Sequence, residues 1–303
     1  MQDYKGKWLY EPQHILFEVD GPVATIMLNS PEKRNALGIA MLKEMREAML
    51  EADDRTDINV MILCGAGKDF CAGYDLVSSY AGRGETTVRG NYTYRESTRR
   101  FDDDTWSMER MQDATLMAFQ IHKPIIAKIH GNCLAGGTDL AFACDLVIVA
   151  EDAKIGFPAT RANGSPPSHM WTYHMGPQWA KRMLFTGDTL RGADAVTLGL
   201  ALEAWPAAEL DEAVKALAHR IAATDAELLA AHKRIVNLAL EQMGALTLQR
   251  LASENDARGH LATGPRRTRF KADMKEHGLK EALKNRDAAY GDSVIKLRRP
   301  PQV

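Results

Sequence analysis

The chain is poor in cysteine, in net charge and in long apolar runs. Its 303 residues include four cysteines, Cys64, Cys71, Cys133 and Cys144. None lies in a CxxC pair and no histidine cluster has zinc spacing, so neither a disulfide scaffold nor a metal site is expected. Cys64 and Cys144 sit in apolar stretches and read as small buried hydrophobes. A reduced, cytoplasmic setting is therefore expected. A net charge of −2 leaves no basic excess to neutralise phosphates, which argues against a nucleic-acid partner. The local clusters Arg99-Arg100 and Arg266-Arg267 read as solvated faces. No apolar run reaches the ~18 residues of a membrane span. The polar, mixed-charge start, MQDYKGKWLYEPQ, matches neither a signal peptide nor a transit peptide.

What is present is ordinary for a globular core: 45% apolar and 26% charged residues. Residues 14–19 and 23–29 predict two strands joined by a turn at Asp20, Gly21 and Pro22. Met41, Leu42, Met45, Ala48 and Met49 define one face of a helix over 38–52. Short apolar runs at 59–64, 125–130 and 145–150 predict buried strands. Helices are expected at 111–122 and, briefly, at 138–143. This alternation is an α/β pattern. Residues 77–110 read as an irregular or partly helical surface insert. After Pro206 the composition is almost purely helical, over 207–224, 225–242, 246–258 and 278–286. The expected organisation is an α/β core over 1–206 and a helical region over 207–303.

Two glycine-bearing loops carry the chemistry. GAGKDFCAGYDL (65–76) contains neither GxGxxG nor the GxxxxGK[ST] of a P-loop, so a nucleotide reading is weak. In HGNCLAGGTDL (130–140) a buried strand ends, two glycines follow and a short helix begins. Amides at a helix start are unsatisfied and carry positive potential. Such a site stabilises a developing oxyanion. Taken alone, this loop reads more readily as a tight strand–helix turn.

Together, FCAGYDL at 70–76 and HGNCLAGGTDLAFACDLVIVA at 130–150 resemble the crotonase (enoyl-CoA hydratase/isomerase) superfamily. LNSPEKRNALG (28–38), DAKIGFP (152–158), AKRMLFTGDTLRGADAVTLGL (180–200) and KEHGLKEALKNR (275–286) extend the resemblance over most of the chain outside the insert. The resemblance implies a spiral of ββα units with a helical C-terminal trimerisation region, as a homotrimer or dimer of trimers. It implies an acyl-CoA or enoyl-CoA substrate, whose coenzyme A is part of the substrate, and no separate cofactor. The thioester oxygen would lie between the amides of Tyr74 and Gly136. Ala72, Asp75 and Leu76 would line the pantetheine and adenine end. Arg34 and Ala36 would flank the CoA from the other side. Arg286 falls where the family often supplies a cation to the CoA phosphates from a neighbouring subunit. Leu283 stands where an aromatic is common. Asp75 has a second reading as a cap, and Arg34 and Arg286 one as surface arginines.

Classical hydratases of this family use two glutamates. The positions here are Asp139 and Ala159. Asp139 keeps a carboxylate but is shorter by one methylene, roughly 1.5 Å. In the first turn of a helix it is expected to ionise and to act as a base. Its alternative role is to complement the helix terminus beside a Thr138 cap. Ala159 transfers no proton. Substitutes are sought among Arg161, Ser168, His169, Tyr173 and His174. Arg161 is a candidate partner for a substrate carboxylate or carbonyl. Glu96, Asp102, Asp103, Asp104 and Glu109 of the insert read as a solvated acidic face, with one residue free to reach the site. The leading expectation is an enoyl-CoA hydratase or isomerase with Asp139 as acid/base. The alternatives are a double-bond isomerase without hydration and a non-catalytic acyl-CoA binding protein.

Overall fold

The chain enters its main sheet through a hairpin. The structure, a computed structural model, describes residues 3–77, 88–95 and 100–297. Strands β1 (Ile15–Asp20) and β2 (Val23–Leu28) pair antiparallel, with Asp20 opposite Val23. Helix α1 (Ile39–Asp54) follows and buries Met41, Leu42, Met45, Ala48 and Met49, the face its periodicity predicted. Strand β3 (Val60–Gly65) lies parallel to β2 and is buried along its whole length. That burial explains its uninterrupted apolar run.

The described part of the insert is partly helical, as expected, and also carries a short ribbon. Strands β4 (Val88–Arg89) and β5 (Tyr92–Thr93) form a small ribbon. Helix α2 (Phe101–Thr115) then starts ten residues before the expected helix, and α3 (Met117–Gln120) completes it. Asp102, Asp103 and Asp104 occupy the first turn of α2, where the helix dipole favours negative charge. Asp102 is exposed, as a solvated face requires, but Asp104 is buried. Glu96 lies outside the described residues.

Strands β6 (Ile125–Ile129) and β8 (Leu146–Ala150) extend the main sheet, and β11 (Glu203–Trp205) closes it in the order β1-β2-β3-β6-β8-β11. Between them run β7 (Asn132–Leu134), helix α4 (Gly136–Ala141) and β9 (Lys154–Gly156). With β10 (Thr189–Arg191), β7 and β9 build a second sheet, ordered β10-β9-β7. Its three-residue strands are too short to show periodicity, which is why the sequence did not announce them. Helices α5 (Trp171–Thr186) and α6 (Gly192–Thr197) connect these layers.

Four helices end the fold: α7 (Leu210–Ala222), α8 (Ala226–Gln242), α9 (Ala245–Leu261) and α10 (Pro265–Asp287). α7 buries Leu210, Val214, Ala218 and Ala222, one stripe at i, i+4, against the main sheet. Lys233 ties α8 to the core by donating to the Ala118 carbonyl (2.7 Å) and pairing with Asp145 (2.8 Å). α9 packs along α2, and α10 packs on the 3-10 turn Pro158–Ala162. Among the described residues, no helix is long and apolar enough to cross a membrane.

Candidate active site

The two glycine loops run side by side. Phe70 N–H donates to the His130 carbonyl (2.9 Å), Cys71 N–H to Asn132 (2.9 Å) and Leu134 N–H to Cys71 (3.0 Å). The 30–38 loop braces the first loop from its other side. Ala72 N–H donates to the Arg34 carbonyl (2.9 Å), Leu37 N–H to Gly73 (2.8 Å) and Asp75 N–H to Leu37 (3.0 Å). Two residues absent from the sequence reading lock this arrangement. Asn35, fully buried and left-handed at φ 54°, donates to the carbonyls of Ala66 (2.9 Å) and Asp69 (2.8 Å). Asp69 accepts the Asn132 amide at 2.9 Å. An asparagine before the loop was the available signal, because asparagine tolerates that backbone region better than most side chains.

The bracing brings the loop tips into contact. A Cβ on Gly73 would stand 2.9 Å from the Ala135 Cβ and 3.4 Å from the Gly136 nitrogen. With φ at +107°, Gly73 also occupies backbone space that other residues rarely enter. A Cβ on Gly136 would stand 2.8 Å from the Tyr74 ring. The chain reaches Gly136 through Ala135 at φ 48°, ψ −119°. For alanine such strain costs about 1–3 kcal/mol. It is held by the Ala135 amide, which donates to the Gly156 carbonyl of β9 at 3.0 Å. Neither the Tyr74 nor the Gly136 amide donates to an acceptor among the described residues. Gly136 is buried and Tyr74 half-buried; amides without acceptors away from water are rare, and here two lie on touching loop tips.

Asp139 lies beside them. It is 2% exposed. Its Oδ2 accepts the Tyr74 hydroxyl at 3.1 Å, and its Oδ1 is buried with no partner among the described residues. Burial pushes the carboxyl well above the usual carboxylate range, and the Tyr74 hydrogen bond offsets this only in part. Removal from water thus favours the neutral carboxyl, opposite in direction to the helix-start dipole on which the expectation of an ionised base rests. Burial, and then the Asp139 carboxyl, likewise raise the Tyr74 hydroxyl. Thr138 does not cap the helix, since its hydroxyl donates to the Ala135 carbonyl at 2.6 Å.

The remaining candidates divide. Arg34 is largely exposed, 3.8 Å from Asp69, and Ala36 lies on the bracing loop beside it. Asp75 is buried and faces Lys33 at 3.5 Å. Leu76 packs on a cluster containing Ala162, Phe270, Ala282 and Leu283, so Phe270 supplies an aromatic near the position where Leu283 does not.

Arg161 corrects the sequence reading. It is 3% exposed, and its guanidinium is engaged within the chain: Nε to the Thr186 carbonyl (2.9 Å), Nη2 to Asp188 (3.0 Å) and Nη1 to Asp287 (3.2 Å). It also stacks 4.3 Å from the Tyr290 ring centre. A group so committed is not aimed at an acyl chain. Arg286 grips the same Asp287 at 2.8 and 2.9 Å. A cavity of about 270 Å³ opens here, lined by Arg266, Arg269, Phe270 and Arg286 among others.

The proposed proton-transfer substitutes are tied elsewhere. Ser168 meets the Thr115 hydroxyl (3.0 Å), and His169 meets Thr172 (3.0 Å). Tyr173 donates to the Met243 carbonyl (3.2 Å), and His174 bonds the Phe142 carbonyl (3.0 Å). A larger cavity of about 450 Å³ lies between residues 165–169 and α9. Tyr74, Gly136 and Asp139 are not among its lining residues.

Residues 18–261 match the family model described as enoyl-CoA hydratase/isomerase. A solved enoyl-CoA hydratase from Mycobacterium smegmatis is 35% identical, with a TM-score of 0.83 over 93% of this chain and 95% of that one. The peroxisomal Delta(3,5)-Delta(2,4)-dienoyl-CoA isomerase of Arabidopsis thaliana is 32% identical over 67% of this chain and 72% of its own. The hydroxycinnamoyl-CoA hydratase-lyase of Pseudomonas fluorescens is 29% identical over 77% of this chain and 80% of its own.

Proposed function

The chain belongs to the enoyl-CoA hydratase/isomerase family, and on that premise we propose that it polarises an acyl-CoA thioester between the amides of Tyr74 and Gly136. The single observation that carries this reading is the pair of amides without acceptors at touching loop tips, next to a buried carboxyl. A thioester oxygen placed between them gains negative charge as the Cα–Cβ system reacts. Donors already oriented in a dry site stabilise that charge without reorganising. Asp139, holding a proton, delivers it to Cα as the enolate collapses. Tyr74 orients the carboxyl through its hydroxyl.

The CoA body runs along the bracing loop. Arg34, Ala36, Ala72, Asp75 and Leu76 flank it, and the arginine-lined cavity at Arg266, Arg269 and Arg286 suits its phosphates. Coenzyme A thus enters as part of the substrate, and no further cofactor is required. Leu228, Ile235, Val236 and Leu238 on α8 and Leu246 and Leu251 on α9 are exposed. An apolar face of this kind supports a homotrimer or dimer of trimers.

The test is a panel of 2-enoyl-CoA esters in water enriched in oxygen-18. Hydration puts the label on Cβ; an Asp139→Asn variant with undiminished turnover would sink the reading. Double-bond isomerisation is the second reading. It is favoured by Ala159, because one carboxyl suffices to move a proton within an enoyl thioester, and it incorporates no label. Tight binding of an acyl-CoA without turnover of any ester would instead identify a binding protein.

A further inference from the structure

A second buried acid, Asp256, is bonded to the loop that folds back on Ala159, the position where the family's second glutamate is missing. The Gly164 amide closes the 3-10 turn by donating to the Ala159 carbonyl at 2.9 Å, and a Cβ on Gly164 would stand 2.8 Å from the Ala159 Cβ. The next amide, Ser165 N–H, donates to Oδ1 of Asp256 at 3.0 Å. Asp256, on α9, is 5% exposed. Its Oδ2 faces Nε2 of His260 at 3.5 Å, and Nδ1 of His260 meets Oδ2 of Asp104 at 2.8 Å. Asp104, on α2, is 1% exposed. Two buried carboxyl groups thus bracket one imidazole, and they join the insert helix, α9 and the loop that follows Ala159. These residues are not grouped as metal ligands among the described residues.

We propose that Asp256, held by Ser165 and His260 and backed by Asp104, is the base that replaces the carboxylate absent at Ala159. This rests on the thioester reading above and resolves it toward hydration. The hydrogen-bond partners favour these roles. Among the described residues the Asp139 carboxyl has one side-chain hydrogen-bond partner, the Tyr74 hydroxyl. Asp256 is raised by burial, but His260, the Ser165 amide and Arg267 of α10 all favour its ionised form, against Asp104, which opposes it. Its charge also reaches Tyr74 and Asp139, raising both. The proposal therefore gives Asp256, which accepts the Ser165 amide and faces His260, the part of base, and Asp139 that of acid.

The step balances. Ionised Asp256 takes one proton from water as the water oxygen bonds to Cβ. The C=C electron pair moves into the thioester, whose oxygen is held by the two amides. As the enolate collapses, neutral Asp139 gives its proton to Cα. Asp256 ends protonated and Asp139 ionised, and passage of one proton from the first to the second through solvent resets the site.

The experiment measures kcat, KM and the pH profile for hydration of the best enoyl-CoA ester. Asp256→Asn is expected to lower kcat by ~10²–10⁴-fold with KM nearly unchanged, and to remove the acid limb of the profile. Adding Ala159→Glu to Asp256→Asn restores turnover if a carboxyl is what is missing. Where Asp256→Asn does not fold, His260→Gln is read by the same criteria. The role of Asp256 is overturned if kcat and profile are unchanged while Asp139→Asn is inactive. It is also overturned if only thermal stability and KM suffer. A wild-type chain that transfers no solvent oxygen-18 to any ester overturns the hydration reading itself, and Asp256 with it.

Discussion

Two regions of this molecule drew the same attention from the sequence, and they are built in opposite ways. At Tyr74, Gly136 and Asp139 polar groups are buried or half-buried and lack partners among the described residues. The two amides have no acceptor, and Oδ1 of Asp139 has no donor, among the described residues. At the α10 corner, Arg161 has every guanidinium nitrogen bonded within the chain, and it shares Asp287 with Arg286. Burying a polar group without a partner costs about 1–3 kcal/mol. A chain that bears this cost in one place and avoids it in the other supports the proposed ligand site at the first and a brace at the second.

The comparison breaks if the unpaired region proves inert. Asp139→Asn is isosteric and is expected to cut turnover ~10²–10⁴-fold, measured by loss of the conjugated enoyl thioester absorbance. Gly136→Ala should follow at ~10²–10³-fold, the usual cost of one lost oxyanion donor. The mechanism is steric: the new methyl meets the Tyr74 ring at 2.8 Å. Wild-type kcat in that variant would mean that the Gly136 amide holds no oxygen.

The paired region should show the reverse. Arg161→Met is expected to cost roughly 1–3 kcal/mol of stability in denaturant titration, with kcat unchanged. The cost is moderated because Asp188 keeps Arg182 at 2.8 Å and Asp287 keeps Arg286. A collapse of turnover at intact stability would return Arg161 to the substrate.

The smallest effect sharpens the contrast through pH. The buried carboxyl of Asp139 binds its proton more tightly folded than unfolded. Between those two pKa values the native state holds more protons, so its stability is complete below the unfolded pKa and is lost as pH rises through the folded one. Asp139→Asn removes this penalty. Its Tm should exceed that of the wild type at pH 8, and the gain should vanish toward pH 4. A gain that grows toward low pH would mean that Asp139 is ionised in the fold.

Much of the site was legible because it uses backbone. Gly73 and Gly136 stand where the backbones approach closely, and the resemblance carried by their two loops implied which amides to look at. Strand β3 and the buried face of α1 were legible from periodicity. The three-residue strands β7, β9 and β10 were not, since nothing periodic fits in three residues. Yet it is the Gly156 carbonyl of β9 that holds Ala135 in its strained turn.

Side-chain chemistry was the least legible. Asp104 read as one of a solvated acidic run, while its neighbours on α9 lie about 150 residues further along the chain (|i−j| = 156 to His260). The sequence by itself determined the α/β order from local pattern and the family from its motifs, and through that resemblance it pointed to the amides of Tyr74 and Gly136. Tertiary structure alone decided the burial of Asp139, the internal engagement of Arg161 and the bond from Ser165 to Asp256. Burial and charge pairing depend on which distant segments exclude water from a carboxyl, and no local pattern encodes that.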